Sequence, residues 1–398
     1  MTAAALAKPP ELMSLPHSGV RVREYFAMHF QGAIFPLTAA AAFYGWRGLM
    51  VVLLVIAGAW PALIIWRQIG RRGRQLESSN VMLYALLLAL MLPGHLASVR
   101  TNLLGVTLWP LPLAAGILLV ITIWTLGGLG AGRLHPVVVT YLILATLFGG
   151  LLVPQAVLSR SRIYLGDLLA GKPGDRMPAS KDPWLARHDA PNQETQFSEP
   201  ASQVLTRYTS GREKPPRGWL PLQALLRDSL PPLEDLIIGG HPGPIGAGSA
   251  IAVIIGGLML MYRGLIDFRV PLTIMLVAFV VLLVLPIPVA IGAQTIWHSM
   301  AFRRGDVGWA VGVTLANYEL MASPILFMAF FLATAGTMQP TSGRARLVYA
   351  ALIGVASAAL QLYFSAAIGP YIALLLAGIL TPFLDKIFRV RPLVALAR

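Results

Sequence analysis

Cysteine is absent from the 398 residues. That excludes disulfides, thiolate-bound zinc, cysteine-ligated iron–sulfur clusters and cysteine nucleophiles. Charge is scarce too: 12% of residues are Asp, Glu, Lys or Arg against 56% hydrophobic, with a mean hydropathy of +0.69. Such a chain is too apolar for a soluble fold and reads as a polytopic membrane protein. Acidic residues are the scarcer sign, 17 against 31 basic, leaving a net charge of +14. The basic residues are spread through short loops, without a stripe or aromatic partners, so they read as topology signals and no nucleic-acid partner is expected. The first 26 residues, MTAAALAKPPELMSLPHSGVRVREYF, lack the basic-then-apolar order of a cleavable signal, so the first spans are expected to direct insertion. No phosphate loop, dinucleotide fingerprint or Ser/His/Asp ordering occurs, and neither NADH binding nor ATP hydrolysis is expected of this chain alone.

Apolar runs are what the sequence has in abundance. Spans of about 20 residues are expected near 28–45, 49–66, 80–97, 103–125 and 136–157, then near 246–262, 270–290, 309–334, 347–365 and 370–388. The expected organisation is an N-terminal segment 1–27, a five-span repeat 28–157, a polar loop 158–235 without evident core, and a second five-span repeat with a short tail, 236–398. With the N-terminus cytoplasmic, the inner segments hold most of the Lys and Arg, while the short outer loops hold only Arg47, Arg100, Arg303 and Arg304. This positive-inside bias puts both termini in the cytoplasm and the long loop outside. Five spans is an odd number, so two related halves must be inverted in the membrane. Asn80 at the start of the third span and Asn317 within the eighth, each followed by Met, Leu and a Pro, and Pro at the start of the fifth and tenth, agree with that.

The sixth span begins in EDLIIGGHPGPIGAGSAIAVIIGG, residues 234–257. Non-helical backbone at membrane depth is tolerated where protein buries it or where it lines a cavity. Gly239, Gly240, Gly243, Gly246 and Gly248 would let N–H groups approach an anionic ligand; the alternative is a plain loop-to-helix junction. Glu319 is the only carboxylate within an otherwise apolar span, which makes it a candidate for an ion or proton pathway; a solvated helix end is the alternative. Asp385, beside Lys386, reads as an interfacial pair. The histidines His17, His29, His95, His135, His241 and His298 all fall near span ends, and interface placement is expected. No metal site is expected.

The stretch DLIIGGHPGPIGAGSAIAVIIGGLMLMYRGLIDFRVPL resembles the signature of the family containing the D-type membrane component of the Rnf electron-transport complex and the B-type membrane component of the sodium-translocating NADH:quinone reductase. Asp235, Leu236, Gly239, Pro242, Gly243, Ile245, Gly246, Ser249, Gly256, Gly257, Arg269 and Pro271 fall in register with it. SLPHSGVRVREYF, LLLALMLPGHL, LHPVVVTYLIL, FMAFFLATAGTMQPTSGRARLVYAALIG and GPYIALLLAGILTPFLDK also look like family segments. The resemblance implies an all-α, ten-span inverted-repeat fold similar to urea and ammonium channels, in a bacterial cytoplasmic membrane. It makes Gly239, Pro242, Gly243, Gly246 and Ser249 candidate cofactor-binding positions. The implied partners are other membrane subunits and flavin- and iron–sulfur-bearing subunits of an Rnf-like complex. The implied cofactor is FMN joined by a phosphoester to a Thr in the long loop; riboflavin and quinone are left undetermined.

Three departures from the family pattern stand out. Where the family carries its modification motif D-x-x-S/T-G-A-T, this chain has Gln196, Glu199 and Pro200 before Ala201-Ser202, so Ser202 is the corresponding hydroxyl. Ala335 replaces the Asp of A-T-D-P, and Ala247 replaces the Glu after P-G-S-I-G. The expected function is a membrane subunit supporting electron transfer coupled to cation transport. The alternatives are a stand-alone channel or transporter and a non-redox scaffold on the same fold.

Overall fold

The computed structural model describes residues 22–69, 78–97, 108–126, 134–152, 200–210, 233–239, 243–291, 294–302, 309–335 and 338–388, with single positions at 222, 225, 226 and 230. The first part of the chain forms α1 (Val22–Tyr44), α2 (Trp46–Ile69), α3 (Ser78–Met91), α4 (Pro110–Thr125) and α5 (Pro136–Phe148). The short helices α6 (Ala201–Thr209) and α7 (Leu233–Ile238) come next. They are followed by α8 (Ala250–Tyr262), α9 (Arg269–Val284), β1 (Pro286–Ile291), β2 (Gln294–Ser299), α10 (Trp309–Ala322), α11 (Ile325–Leu332), α12 (Gly343–Tyr363) and α13 (Gly369–Ile387).

The fold is largely helical and membrane-spanning. Helices α1, α2, α12 and α13 are each long and apolar enough to cross a bilayer, and α10 with α11 makes a fifth candidate bent by 63°. The outer surface is apolar: Leu53, Leu147, Leu276, Ile379 and Phe383 are all exposed. Polar side chains such as His29, Glu319 and Gln361 are buried instead. This reversal of the soluble pattern is what lipid demands.

Small residues set the helix crossings. A Cβ on Gly116 of α4 would overlap Val55 O of α2, and one on Gly58 of α2 would overlap Leu113 O of α4. In the second half, a Cβ on Gly354 of α12 would lie 2.9 Å from Ile274 O of α9. Between the halves, a Cβ on Gly256 of α8 would lie 2.6 Å from Gly32 O of α1. In each case glycine lets two backbones approach where any side chain would hold them apart.

Three sequence expectations change. The chain is not all-α: the span expected at 270–290 ends at Val284, because Pro286 and Pro288 cannot continue a helix. The chain turns instead into an antiparallel hairpin pairing Pro288 with Trp297. The loop expected to lack a core contributes to one. Ala201, Leu205, Tyr208, Leu222, Leu225 and Leu230 join Leu282, Ile287, Leu315 and Leu362 in a second apolar cluster at one end of the bundle. The expected span 309–334 is broken, since Pro324 has no N–H and the chain resumes as a wide helical turn over Met328–Leu332.

Candidate functional site

Two features come together where backbone is not helical. Past α3, Leu92 and Pro93 leave the helix and Gly94–Ala97 forms a tight helical turn. The 243–249 stretch lies against this break, with Pro93 bridged to Pro244 and Ile245 N donating to Leu92 O at 3.0 Å. Tyr44, the last residue of α1, seals the junction by donating its hydroxyl to Gly243 O at 3.3 Å. Its ring fills the space beside Gly94 and Gly248, and Leu90 does the same at Gly246. Ser249 caps α8, its hydroxyl accepting from Ala252 N at 3.4 Å. Gly239 takes φ +125°, and a Cβ there would overlap the Phe43 ring, so glycine is required on both counts. Gly240, His241 and Pro242 lie outside the described residues. The bare backbone at the start of the sixth segment thus docks on a second break, and the two halves interlock through it.

Glu319 lies in the last turn of α10 and is 2% exposed; Gln361 and Ser357, on one face of α12, are fully buried. Gln361 Nε2 donates to both Glu319 O and Glu319 Oε2, each at 2.6 Å. The reversed amide would set its oxygen against two oxygens, so this orientation is the one the network selects. Glu319 Oε1, Gln361 Oε1 and Ser357 Oγ are buried without a hydrogen-bond partner. The expectation of a solvated helix end gives way to a carboxylate enclosed in protein, held by an amide that sequence reading did not single out.

Ser202 lies in the first turn of α6 and is 8% exposed. Its helix is fixed to the end of α12: Thr209 Oγ1 donates to Leu362 O at 2.9 Å, and Thr206 Oγ1 accepts from Ala366 N at 3.0 Å. Leu362 follows Gln361 in the chain, so α6 is anchored one residue along from the Glu319–Gln361 contact. The Ser202 side chain is largely enclosed by protein.

Three of the histidines are enclosed by protein. His29, His95 and His135 are 2%, 4% and 1% exposed; His95 Nε2 meets Leu151 O at 2.9 Å, and His135 packs on Tyr84. Among the described histidines only His298, bonded to Phe302 O, stays at the surface hairpin; His17 and His241 lie outside the described residues. Asp385 accepts from Thr341 N and Oγ1 at 2.8 and 3.0 Å, tying the end of α13 to the start of α12. Nearby, Arg346 is buried, donates to Pro340 O at 2.9 Å and pairs with Asp267 at 3.8 Å.

Residues 13–393 match the model of the NQR2, RnfD, RnfE family. The chain belongs to that family. It is 28% identical over 165 residues to the D-type component of the Na(+)-translocating ferredoxin:NAD(+) oxidoreductase complex of Acetobacterium woodii, covering 41% of this chain and 43% of the relative. It is 30% identical over 156 residues to the D-type component of the ion-translocating oxidoreductase complex of Halorhodospira halophila, covering 39% and 38%. The matched region thus spans about two fifths of each relative. Within the NQR2, RnfD, RnfE family, the departures at Ala247 and Ala335 sit in packed surroundings, Ala335 being 9% exposed just after α11. Among its described apolar helices this chain holds one enclosed carboxylate, Glu319.

Proposed function

We propose that this chain is an integral-membrane subunit of a redox-driven, ion-translocating electron-transport complex, supporting electron transfer coupled to cation movement. The family match across residues 13–393 carries this reading, together with two relatives named as subunits of ion-translocating oxidoreductase complexes. Partner subunits supply the iron–sulfur centres, since this chain has no cysteine. The chain lies in a bacterial cytoplasmic membrane with both termini inside and 158–235 outside. It crosses ten times as two inverted five-helix halves. Five apolar helices of 10–17 residues beside the four long ones and the bent pair support that count. The glycine-mediated crossings of α2 with α4 and of α9 with α12 support the repeat, because they pair the second and fourth members of each half.

The test is affinity purification of the tagged chain from native membranes in mild detergent. Flavin- and iron–sulfur-bearing subunits should accompany it, and deleting the chain should abolish redox-driven cation uptake by inverted vesicles. A chain that purifies alone, and whose loss leaves that uptake intact, overturns the reading in favour of a stand-alone channel. The enclosure of Ser202 favours a second form, a membrane scaffold that carries no covalent flavin. Intact mass with in-gel fluorescence separates the two: one added FMN, lost in Ser202→Ala, places the chain on the electron path, and an unmodified chain selects the scaffold.

A further inference from the structure

Two stripes of exposed apolar side chains run to the same turn. On α8, Ile251, Ile255 and Leu258 stand exposed at three- and four-residue spacing and lead to Tyr262, which is 91% exposed. On α9, Phe268 opens a second stripe that continues through Leu272, Leu276 and Val280, all exposed. Each stripe follows one helix face and ends in an aromatic ring beside an arginine, Tyr262 before Arg263 and Phe268 before Arg269. Apolar faces that give way to aromatic rings and then to Lys or Arg mark the depth at which hydrocarbon meets headgroups. The turn 263–268 therefore has the character of a bilayer rim.

Packing leaves the charge at this rim unbalanced. The turn has one acid, Asp267, and both of its oxygens are engaged. Oδ1 accepts from Arg269 N at 3.1 Å, and Oδ2 pairs with the buried Arg346 of α12 at 3.8 Å. Asp385, the other carboxylate that Arg346 feels, is held by Thr341 N and Oγ1. Arg263, Arg269 and Arg344 are exposed, and among the described residues none of them pairs with a carboxylate. Arg344 joins the same rim because the Asp267–Arg346 pair ties the turn to the start of α12, two residues along. The Arg269 guanidinium lies 5.9 Å from the Phe268 ring, a stacking that keeps the cation level with the apolar stripe. Arg346 thus meets the turn's carboxylate, and three exposed cations remain.

We propose that Arg263, Arg269 and Arg344 form a docking surface for anionic phospholipid in the leaflet at this end of the bundle. Guanidinium groups match phosphate oxygens as paired donors, and the stripes on α8 and α9 receive the acyl chains. In the proposed topology that leaflet is the cytoplasmic one, whose anionic surface attracts such cations. A zwitterionic lipid offers the same phosphate but carries its own cation, so it fits this surface less well.

The test is native mass spectrometry of the purified full-length chain in detergent, titrated with phosphatidylglycerol or with phosphatidylcholine of identical acyl chains. Phosphatidylglycerol is expected to bind at least about fivefold more tightly, the factor that one surface cation supplies. With Arg263→Gln, Arg269→Gln and Arg344→Gln made together, that preference should vanish while phosphatidylcholine binding stays unchanged. Arg263→Lys, Arg269→Lys and Arg344→Lys together keep the charge and should keep the preference. Arg303→Gln with Arg304→Gln, which removes two cations from the proposed outer side, should bind as the parent does. Equal affinity of the parent for both lipids overturns the surface, as does a preference that survives the triple Gln variant. Loss in the triple Lys variant would remove charge as the cause, and equal loss in the Arg303 and Arg304 variant would leave only net charge; either overturns it. Retained preference with loss of partner subunits from the triple Gln variant would assign the rim to an acidic protein surface instead. The lipid readout needs no partner subunit, so its failure leaves the complex reading standing.

Discussion

At the scale of single residues, the membrane interior makes two kinds of position unforgiving. The first is glycine at a helix crossing. A Cβ on Gly354 would stand 2.9 Å from both Ile274 O and Val277 Cβ, and backbone cannot yield as a flexible side-chain tip can. Gly354→Val is expected to cost about 1–3 kcal/mol of overpacking, seen as a lower unfolding midpoint in detergent. Val355→Leu, at a lipid-exposed neighbour, should leave the midpoint unchanged; equal behaviour of the two variants would count against the close crossing. The second kind is a buried polar group. Tyr44→Phe removes the hydroxyl that Gly243 O accepts, and a net loss of about 1 kcal/mol is expected. Hydrogen–deuterium exchange should then rise at 243–249 more than in α12.

Residue-scale legibility was uneven for a physical reason. Glu319 could be singled out because an ionisable group in an apolar run is rare whatever surrounds it. Gln361, a lone amide in LQLYF, carries a weaker version of the same signal. Only the packing of α12 on α10 shows that the two residues meet. Position along a span did not reveal which histidines are enclosed by protein. His29 lies well inside α1 and is buried by neighbours that no local pattern reveals.

At the scale of elements, α6 and the broken helix decide how the site is closed. Helix α6 spans nine residues, too few to persist alone. Its place depends on apolar burial and on two threonine contacts, Thr209 with Leu362 in α12 and Thr206 with Ala366 just past it. Replacing Thr206 and Thr209 together by Val removes both contacts, each worth about 0.5–1.5 kcal/mol. Exchange of the α6 amides should accelerate while α12 stays protected. Exchange unchanged in α6 would mean that apolar burial alone holds it. The hairpin β1–β2 was within reach of sequence reading, since the prolines at 286 and 288 already forbid a helix there. The apolar run hid it, because continuous hydrophobicity does not distinguish a strand from a buried helix.

At the scale of the whole molecule, the proposed inverted repeat makes a topological prediction. A reporter fused after residue 190 should register outside the cytoplasm, since an odd number of crossings precedes it. A cytoplasmic signal there would require a different count. Arg269 tests the assembly: its side chain is exposed over Phe268 and makes a 5.9 Å cation–π contact, in the Arg-x-Pro-Leu step shared with the family resemblance. Arg269→Ala should reduce co-purification of partner subunits more than Arg303→Ala. Equal, negligible effects would remove any special role for that step.

Composition by itself settled the membrane class, because a chain with 56% hydrophobic residues and 12% charged ones has too little polar surface to fold in water. Motifs in order along the chain settled the family, because register across many segments does not arise by chance in apolar sequence. The Gly/Pro stretch at 239–248 marked a break, since those residues alone announce non-helical backbone. What that break packs against, Pro93 and Leu92 from the other half of the chain, depended on tertiary structure, as did the meeting of Glu319 with Gln361 and the seating of Ser202 beneath α6's own packing. Each is a contact between segments dozens of residues apart or more. A one-dimensional pattern encodes which side chains avoid water, and only the packed helices decide which buried groups find one another.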